Sequence, residues 1–230
     1  MSSYYNKIPD EPKGGRVRPP SPRTAVRRRA GRGRYDRVAI DAILDDGFFG
    51  HLAFVSNGQP YAIPMLYVRD GERIYLHGSP LSRLLGGLVE GVPVCLTVTL
   101  LDGLVLARSA FHHSVNYRSV VVLGQARALR APAEKRAALD ALVEQIVPGR
   151  TSEARGPSEP ELEATEVAIL PITEASAKIR TGPPVDAFED YALPVWAGEL
   201  PLSLTPGTPL TDARCSAELP AYVRNYGLTA

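Results

Sequence analysis

The segment His77-Gly78-Ser79-Pro80-Leu81-Ser82-Arg83 collects the donors a phosphate monoester needs. Two hydroxyls lie within one turn, a guanidinium can fork onto oxygens, and main-chain N–H groups are left unpaired where a strand gives way to a helix start. The same letters also describe a plain helix start, with Ser79 as N-cap, Pro80 in the first position and Arg83 in solvent. A second polar cluster, Ser114-Val115-Asn116-Tyr117-Arg118-Ser119-Val120, runs straight into an apolar strand. It would place Arg118 and Ser119 at a barrel mouth, as further phosphate or ring contacts or as ordinary strand-entry hydroxyls. A third run, Tyr61-Ala62-Ile63-Pro64-Met65-Leu66-Tyr67, carries a proline inside a strand-like pattern. That marks an edge or a bulge, where main-chain groups are open to a flat heteroaromatic ring. His77 has the right ordinary pKa, about 6.5, for proton delivery at neutral pH, and suits a structural hydrogen bond equally well.

Other chemistries have less to stand on. His112-His113 invites a metal or haem reading, but adjacent residues on a strand point to opposite faces and do not chelate one ion. The other histidines, His51 and His77, are not clustered with carboxylates, so no metal site is expected. The sequence contains no H-E-x-x-H, G-x-S-x-G, G-x-G-x-x-G or G-x-x-x-x-G-K-[ST] pattern, which removes the usual zinc-protease, hydrolase and nucleotide-loop readings. Cys95 and Cys215 are too few for a disulfide framework. Trp196, the single tryptophan, is expected in the core.

These candidates must be positioned by short strands. Asp36 caps a predicted helix with Ala39, Ile40, Ile43 and Leu44 on one face and Gly47 as its stop. Strands are expected at Gly50–Ser56, Tyr61–Arg69 and Arg73–His77, joined by the turn dipeptides Asn57-Gly58 and Asp70-Gly71. A helix from Ser79 should bury Leu81, Leu84, Leu85 and Leu88 and stop at Gly91. Further strands are expected at Val94–Leu100 and Leu104–Ser109, with Asp102-Gly103 as their turn, then at Ser119–Leu129, Glu166–Pro171 and Ala177–Arg180. A helix is expected over Ala133–Val147 and a loop over 148–160. Seven or eight short strands with hairpin signals and few helices argue for a small closed or partly closed barrel.

Charge divides the chain. Of its 26 Lys+Arg and 25 Asp+Glu, residues 1–37 hold 11 and 3, a surplus of 8 positive charges; the other 193 residues hold 15 and 22, a surplus of 7 negative ones. The arm over residues 1–33 is rich in Pro, Gly, Ser and Arg and is expected to be flexible, either solubilising, wrapped on a partner copy, or bound to nucleic acid or another anionic surface. Residues 34–200 form the expected domain and 201–230 a proline-rich extended tail. No apolar run approaches the ~20 residues a membrane span needs, and with no secretory signal the expected compartment is the cytoplasm.

Five stretches taken in order carry a family resemblance: Gly58–Pro64, Tyr75–Ser79 with Ser82-Arg83, Thr97–Val105, Asn116–Val120 and Ala177–Pro183. Together they resemble the pyridoxamine 5′-phosphate oxidase-like flavin-binding proteins, in the branch related to nitroimidazole-resistance proteins. The resemblance implies a mainly β fold, a split β-barrel of six to eight antiparallel strands with a few short helices, and a homodimer binding FMN at the subunit interface. It implies main-chain contacts to the ring from Ala62, Ile63, Pro64 and Met65, a phosphate site at His77, Gly78, Ser79, Ser82 and Arg83, and flavin contacts from Arg118, Ser119 and Val120. His77 matches a position where some relatives carry a reactive histidine. The implied activity is FMN-dependent oxidation or reduction of a small nitroaromatic or quinone-like molecule; a flavin store or sensor and a haem binder using His112 or His113 are the alternatives. Oxidation of vitamin B6 is not expected, because the Arg-x-His signature of true oxidases has no counterpart after His113.

Overall fold

The computed structural model describes residues 17–86 and 91–227. Helix α1 (Arg37–Asp46) starts where the Asp36 carboxylate accepts the Ala39 N–H at 2.9 Å, and it buries Ala39, Ile40, Ile43 and Leu44 as its periodicity requires. Strands β2 (Phe49–Ser56), β3 (Gln59–Asp70) and β4 (Arg73–Gly78) follow as an antiparallel meander. Asn57 and Gly58 both have positive φ, the conformation a two-residue hairpin turn demands.

Strand β5 (Val92–Leu106) corrects one expectation: Asp102-Gly103 is not a turn between two strands but a bulge inside one. Gly103 is needed for close approach, since a Cβ there would stand 3.0 Å from the Leu200 carbonyl oxygen on β9 (Gly198–Pro201), which pairs alongside. Strand β6 (Ser114–Ala128) absorbs the polar cluster expected to precede it. Helix α2 (Pro132–Ile146), the short helix α3 (Glu159–Glu163), and strands β7 (Glu166–Pro171) and β8 (Glu174–Arg180) complete the domain, with α4 (Ala221–Arg224) near the C-terminus. Helix α3 lies at the end of the stretch expected to be a loop, where Ser158 and Glu161 form a reciprocal capping box.

The ring β6–β7–β4–β3–β2–β5 closes through the β5–β6 pairing, giving a six-stranded antiparallel barrel. Strand β8 adds to β6, β1 (Gly33–Arg34) to β8, and β9 to β5, for nine strands in all. The interior holds Leu52, Tyr67, Ile74, Leu76, Leu96, Val98, Val120, Val122 and Leu170, each fully buried. A smaller cluster, with Ala138 and Leu142 of α2 against Val68, Tyr75 and Val167, covers β3, β4 and β7 from outside.

The described part of the arm lies on this frame. Arg23 pairs with Glu174, the Val26 N–H donates to Tyr35 Oη at 2.8 Å, and β1 extends the sheet at Lys178 and Ala177. Trp196, expected in the core, is 66% exposed, its ring folded over Gly198 at the start of β9. Among the described residues, no helix is long and apolar enough to cross a membrane.

Candidate functional site

The barrel is open along one seam. Strand β3 pairs with β2 from Gln59 to Leu66, but with β4 only from Tyr67 to Asp70. Strand β4 continues through His77 and Gly78 along β7. Residues Gln59–Leu66 therefore present an edge with no strand partner among the described residues, so alternate main-chain groups face outward unpaired. Pro64 sits within this edge, where its missing N–H costs nothing.

Beyond Gly78 the chain turns back across the seam. The helix expected from Ser79 is not regular in its described part, 79–86, and Leu88 lies outside the described residues. Ser79 Oγ accepts the Leu81 N–H at 3.1 Å, a local turn bond, and Ser82 Oγ accepts the Leu85 N–H at 3.0 Å in the manner of an N-cap three residues later than expected. Leu81 is accordingly 94% exposed, not buried, while Leu84 and Leu85 enter the core and close the inner side of the seam. Both serine hydroxyls already serve their own turn, so any further ligand bond would come from their donor side.

Arg83 crosses from this turn to β3, its guanidinium 4.7 Å from the centroid of the Tyr61 ring. Tyr61 in turn stacks on Phe54, with ring centroids 5.6 Å apart. No carboxylate pairs with Arg83 among the described residues. His77 ends β4 beside the seam; its Nδ1 is buried with no hydrogen-bond partner, and burial lowers its pKa from the ordinary imidazole value.

The pleat separates the remaining predicted residues. Pro64, His51, Thr97 and Val121 lie side by side across β3, β2, β5 and β6, so Ala62, Pro64 and Ser119 share the outer face. Ile63 and Met65 turn inward against the core, and Val120 is fully buried. Arg118 also turns inward, at the mouth of the barrel, where it forms ion pairs with Asp46 and, at 2.9 Å, with Asp102. Burial works against its charge, but the two carboxylates outweigh that and raise its pKa. Its fork is filled, so Arg118 holds α1 and the β5 bulge to β6. Ser119 Oγ donates to the Lys178 carbonyl at 3.2 Å. Three strand spacings, about 14 Å along the curved sheet, separate β3 from β6. The structure thus gathers Ala62–Met65, His77, Gly78, Ser79, Ser82 and Arg83 around one seam and leaves Ser119 apart from it.

Two partners at the site escaped the sequence reading: Tyr61, the aromatic floor beneath Arg83, and the Asp46/Asp102 pair that neutralises Arg118. Tyr61 opens the proline-containing run, but nothing local in sequence pairs it with Arg83.

The profile of the family described as pyridoxamine 5′-phosphate oxidase matches residues 36–179, from the cap of α1 to the penultimate residue of β8. The chain belongs to this family. Within the pyridoxamine 5′-phosphate oxidase fold, the flavocytochrome Anf3 from Azotobacter vinelandii is 42% identical to this chain, with a TM-score of 0.85 covering 90% of this chain and 97% of that one. An FAD and haem binding protein from Mycobacterium smegmatis is 39% identical, with a TM-score of 0.80 covering 84% and 96%. A candidate 5-nitroimidazole antibiotic resistance protein from Bacteroides thetaiotaomicron, 22% identical with a TM-score of 0.53 over 64% and 86%, shares the fold. No protein of curated function matches the chain. The split barrel expected from the resemblance is therefore the fold of this protein, and its open seam is the feature on which the candidate residues converge.

Proposed function

We propose that the chain is a flavin-dependent oxidoreductase that holds its cofactor at the seam between β3 and β4. The observation that carries this reading is the unpaired main-chain edge Gln59–Leu66, faced by Arg83, a guanidinium with no carboxylate partner among the described residues. The edge offers the outward main-chain groups of Ala62 and Pro64 to a flat ring system, Pro64 accepting only. Arg83 and the donor side of Ser79 and Ser82 suit a phosphate. A bound flavin would supply the electron transfer, and the chain's own groups would orient it, exclude water from one side and set its hydrogen bonding. His77, held neutral by burial, can exchange a proton through its unpartnered ring nitrogen beside the seam. The substrate class is a small nitroaromatic or quinone-like molecule.

Ser119 lies on the outer face three strands round the barrel from the β3 edge. One ring system touches both only if a second copy brings its own Ser119 to the seam, which supports a homodimer with the flavin between subunits.

The relatives favour a second cofactor reading, FAD in place of FMN together with haem, because one solved relative is a flavocytochrome and another binds FAD and haem. The deciding experiment is the visible spectrum of the purified protein and the mass of the released cofactor. A flavin band that bleaches anaerobically with NADH or NADPH supports the oxidoreductase. A bound flavin that stays oxidised with either reductant points to a store or sensor. A colourless protein that gains no signal from added FMN or FAD overturns the reading.

A further inference from the structure

Between Val17 and Asp36 the chain holds seven arginines and a single acid. This part of the arm is fixed to the domain. Arg23 pairs with Glu174, the Val26 N–H donates to Tyr35 Oη, and Gly33 and Arg34 extend the sheet along Lys178 and Ala177 of β8. Arg27, Arg28 and Arg29 stand exposed between these anchors. One turn of 3₁₀ helix over Ala30–Arg32 then brings Arg32 after them, its N–H donating to the Arg29 carbonyl at 2.9 Å. None of these four guanidinium groups meets a carboxylate among the described residues. The neighbouring acids are already in use: Asp36 caps α1, Asp41 and Glu72 pair with Arg37, and Glu174 pairs with Arg23. Arg29 also has a φ of 57°, a left-handed conformation that costs energy in any residue but glycine. Its side chain makes no hydrogen bond or ion pair among the described residues that would offset that cost.

Like charge gathers beneath them. Lys178 stands on β8 opposite Gly33, and Arg180, two residues on, is buried. Burial and the Arg32 charge lower the Arg180 pKa against the pull of Glu199. Arg180 donates to Asn116 and to the Gly182 and Pro183 carbonyls, so its own charge adds to the ridge. Beyond residue 37 the chain carries a surplus of seven negative charges, which confines the field that draws a polyanion to the arm and its surroundings. The ridge has little with which to enter a bilayer or to stack on bases. Val17 is the only large apolar side chain exposed between residues 17 and 36, and the single aromatic there, Tyr35, is half-buried with its hydroxyl accepting from Val26. A single strand would call for aromatic platforms. Guanidinium forks presented without them suit the closely spaced phosphates of a duplex, through contacts that carry no sequence information.

We infer that Arg27, Arg28, Arg29 and Arg32 form a docking ridge for the phosphate backbone of double-stranded nucleic acid, on the β8 side of the domain and apart from the flavin seam. Docking there does not depend on the flavin reading. The test uses the full-length protein, its R27A/R28A/R29A/R32A variant, the charge-keeping R27K/R28K/R29K/R32K variant, and a K7A/K13A/R16A variant that leaves the ridge intact. Binding to a fluorescein-labelled DNA duplex, and to one of scrambled sequence, is read by fluorescence anisotropy across a salt series, with the unfolding midpoint as the check on folding. The wild type should bind both duplexes equally and lose about 100-fold or more in affinity between about 50 and 200 mM salt, as the release of counterions from four phosphates requires. The alanine ridge variant should show a slope of log affinity against log salt shallower by about 3–4, at an unchanged unfolding midpoint. The lysine variant and K7A/K13A/R16A should keep most of the wild-type slope. Wild-type protein that binds no duplex at low salt overturns the inference, as does an alanine variant with the wild-type slope. A larger loss in K7A/K13A/R16A than in the alanine ridge variant places the contact off the ridge and overturns the assignment. Binding to phosphatidylserine vesicles without binding to the duplex overturns it in favour of a membrane surface.

Discussion

Two arginines embedded in similar surroundings of strand and turn do opposite work. Arg118, at the closed mouth of the barrel, meets two carboxylates and is nearly buried; Arg83, at the open seam, meets an aromatic face and no carboxylate among the described residues. In the first case the cation is used up inside the fold, joining elements far apart in sequence. In the second it is held in place by a contact that leaves its hydrogen-bond donors unspent. A guanidinium marks a candidate anion site only when its neighbours orient it without neutralising it.

The sharpest way to break this contrast is to remove the closed end. Arg118→Met leaves Asp46 and Asp102 facing each other with little solvent, and urea unfolding should register a loss of about 3–5 kcal/mol. A loss below 1 kcal/mol would show that the two carboxylates find other partners. At the seam, Arg83→Ala should barely move the unfolding midpoint, yet weaken flavin binding about 10–100-fold, as expected for the loss of charge-assisted hydrogen bonds to a phosphate. Fluorescence titration with FMN and FAD checks this, and equal affinity would place the phosphate elsewhere.

His77 sharpens the comparison through pH. Burial lowers its pKa in the folded state, so the unfolded chain binds the proton first. The stability linked to the neutral ring is complete above the unfolded value, about pH 6.5, and is lost as pH falls below it. His77→Gln should therefore flatten the decline in unfolding free energy between pH 7.5 and 5, measured by urea denaturation. A decline identical to that of the wild type removes His77 from the account. The smallest effect belongs to Leu81→Ser: this side chain is 94% exposed and should cost less than about 0.5 kcal/mol. A larger loss of stability, or a shift in dimerisation measured by sedimentation, would mean that a second copy covers it.

Much of the fold is legible locally. Helix α1 follows from its cap and apolar spacing, the β2–β3–β4 meander from two turn dipeptides, and β7 from a continuous apolar run. The failures have a common physical source. Asp102-Gly103 has the letters of a turn, but its glycine answers to a strand almost a hundred residues later, and Ser79-Pro80 has the letters of a helix start, but Ser79 spends its hydroxyl on a tight local turn and the cap-type bond falls to Ser82. The site was legible in part: the segments around the seam were marked by residue type. The inward turn of Arg118 and the placing of Arg83 over Tyr61 depend on register and closure, which no short window encodes.

Strand β6 pairs with β5 along nearly its full length, with β8 over Tyr117–Leu123 and with β7 at Arg127 and Ala128. In kinetic language it is where early and late contacts meet. The β5–β6 hairpin can form from its own loop with little chain to close, whereas β8 must return across some fifty residues and the barrel closes only when β7 has met both β4 and β6. Amide hydrogens in the middle of β6 should accordingly be among the last to exchange with solvent, and the outward-facing amides of Gln59–Leu66 among the first. The edge left free to receive a ligand is also the place where the barrel is least committed to its own closure.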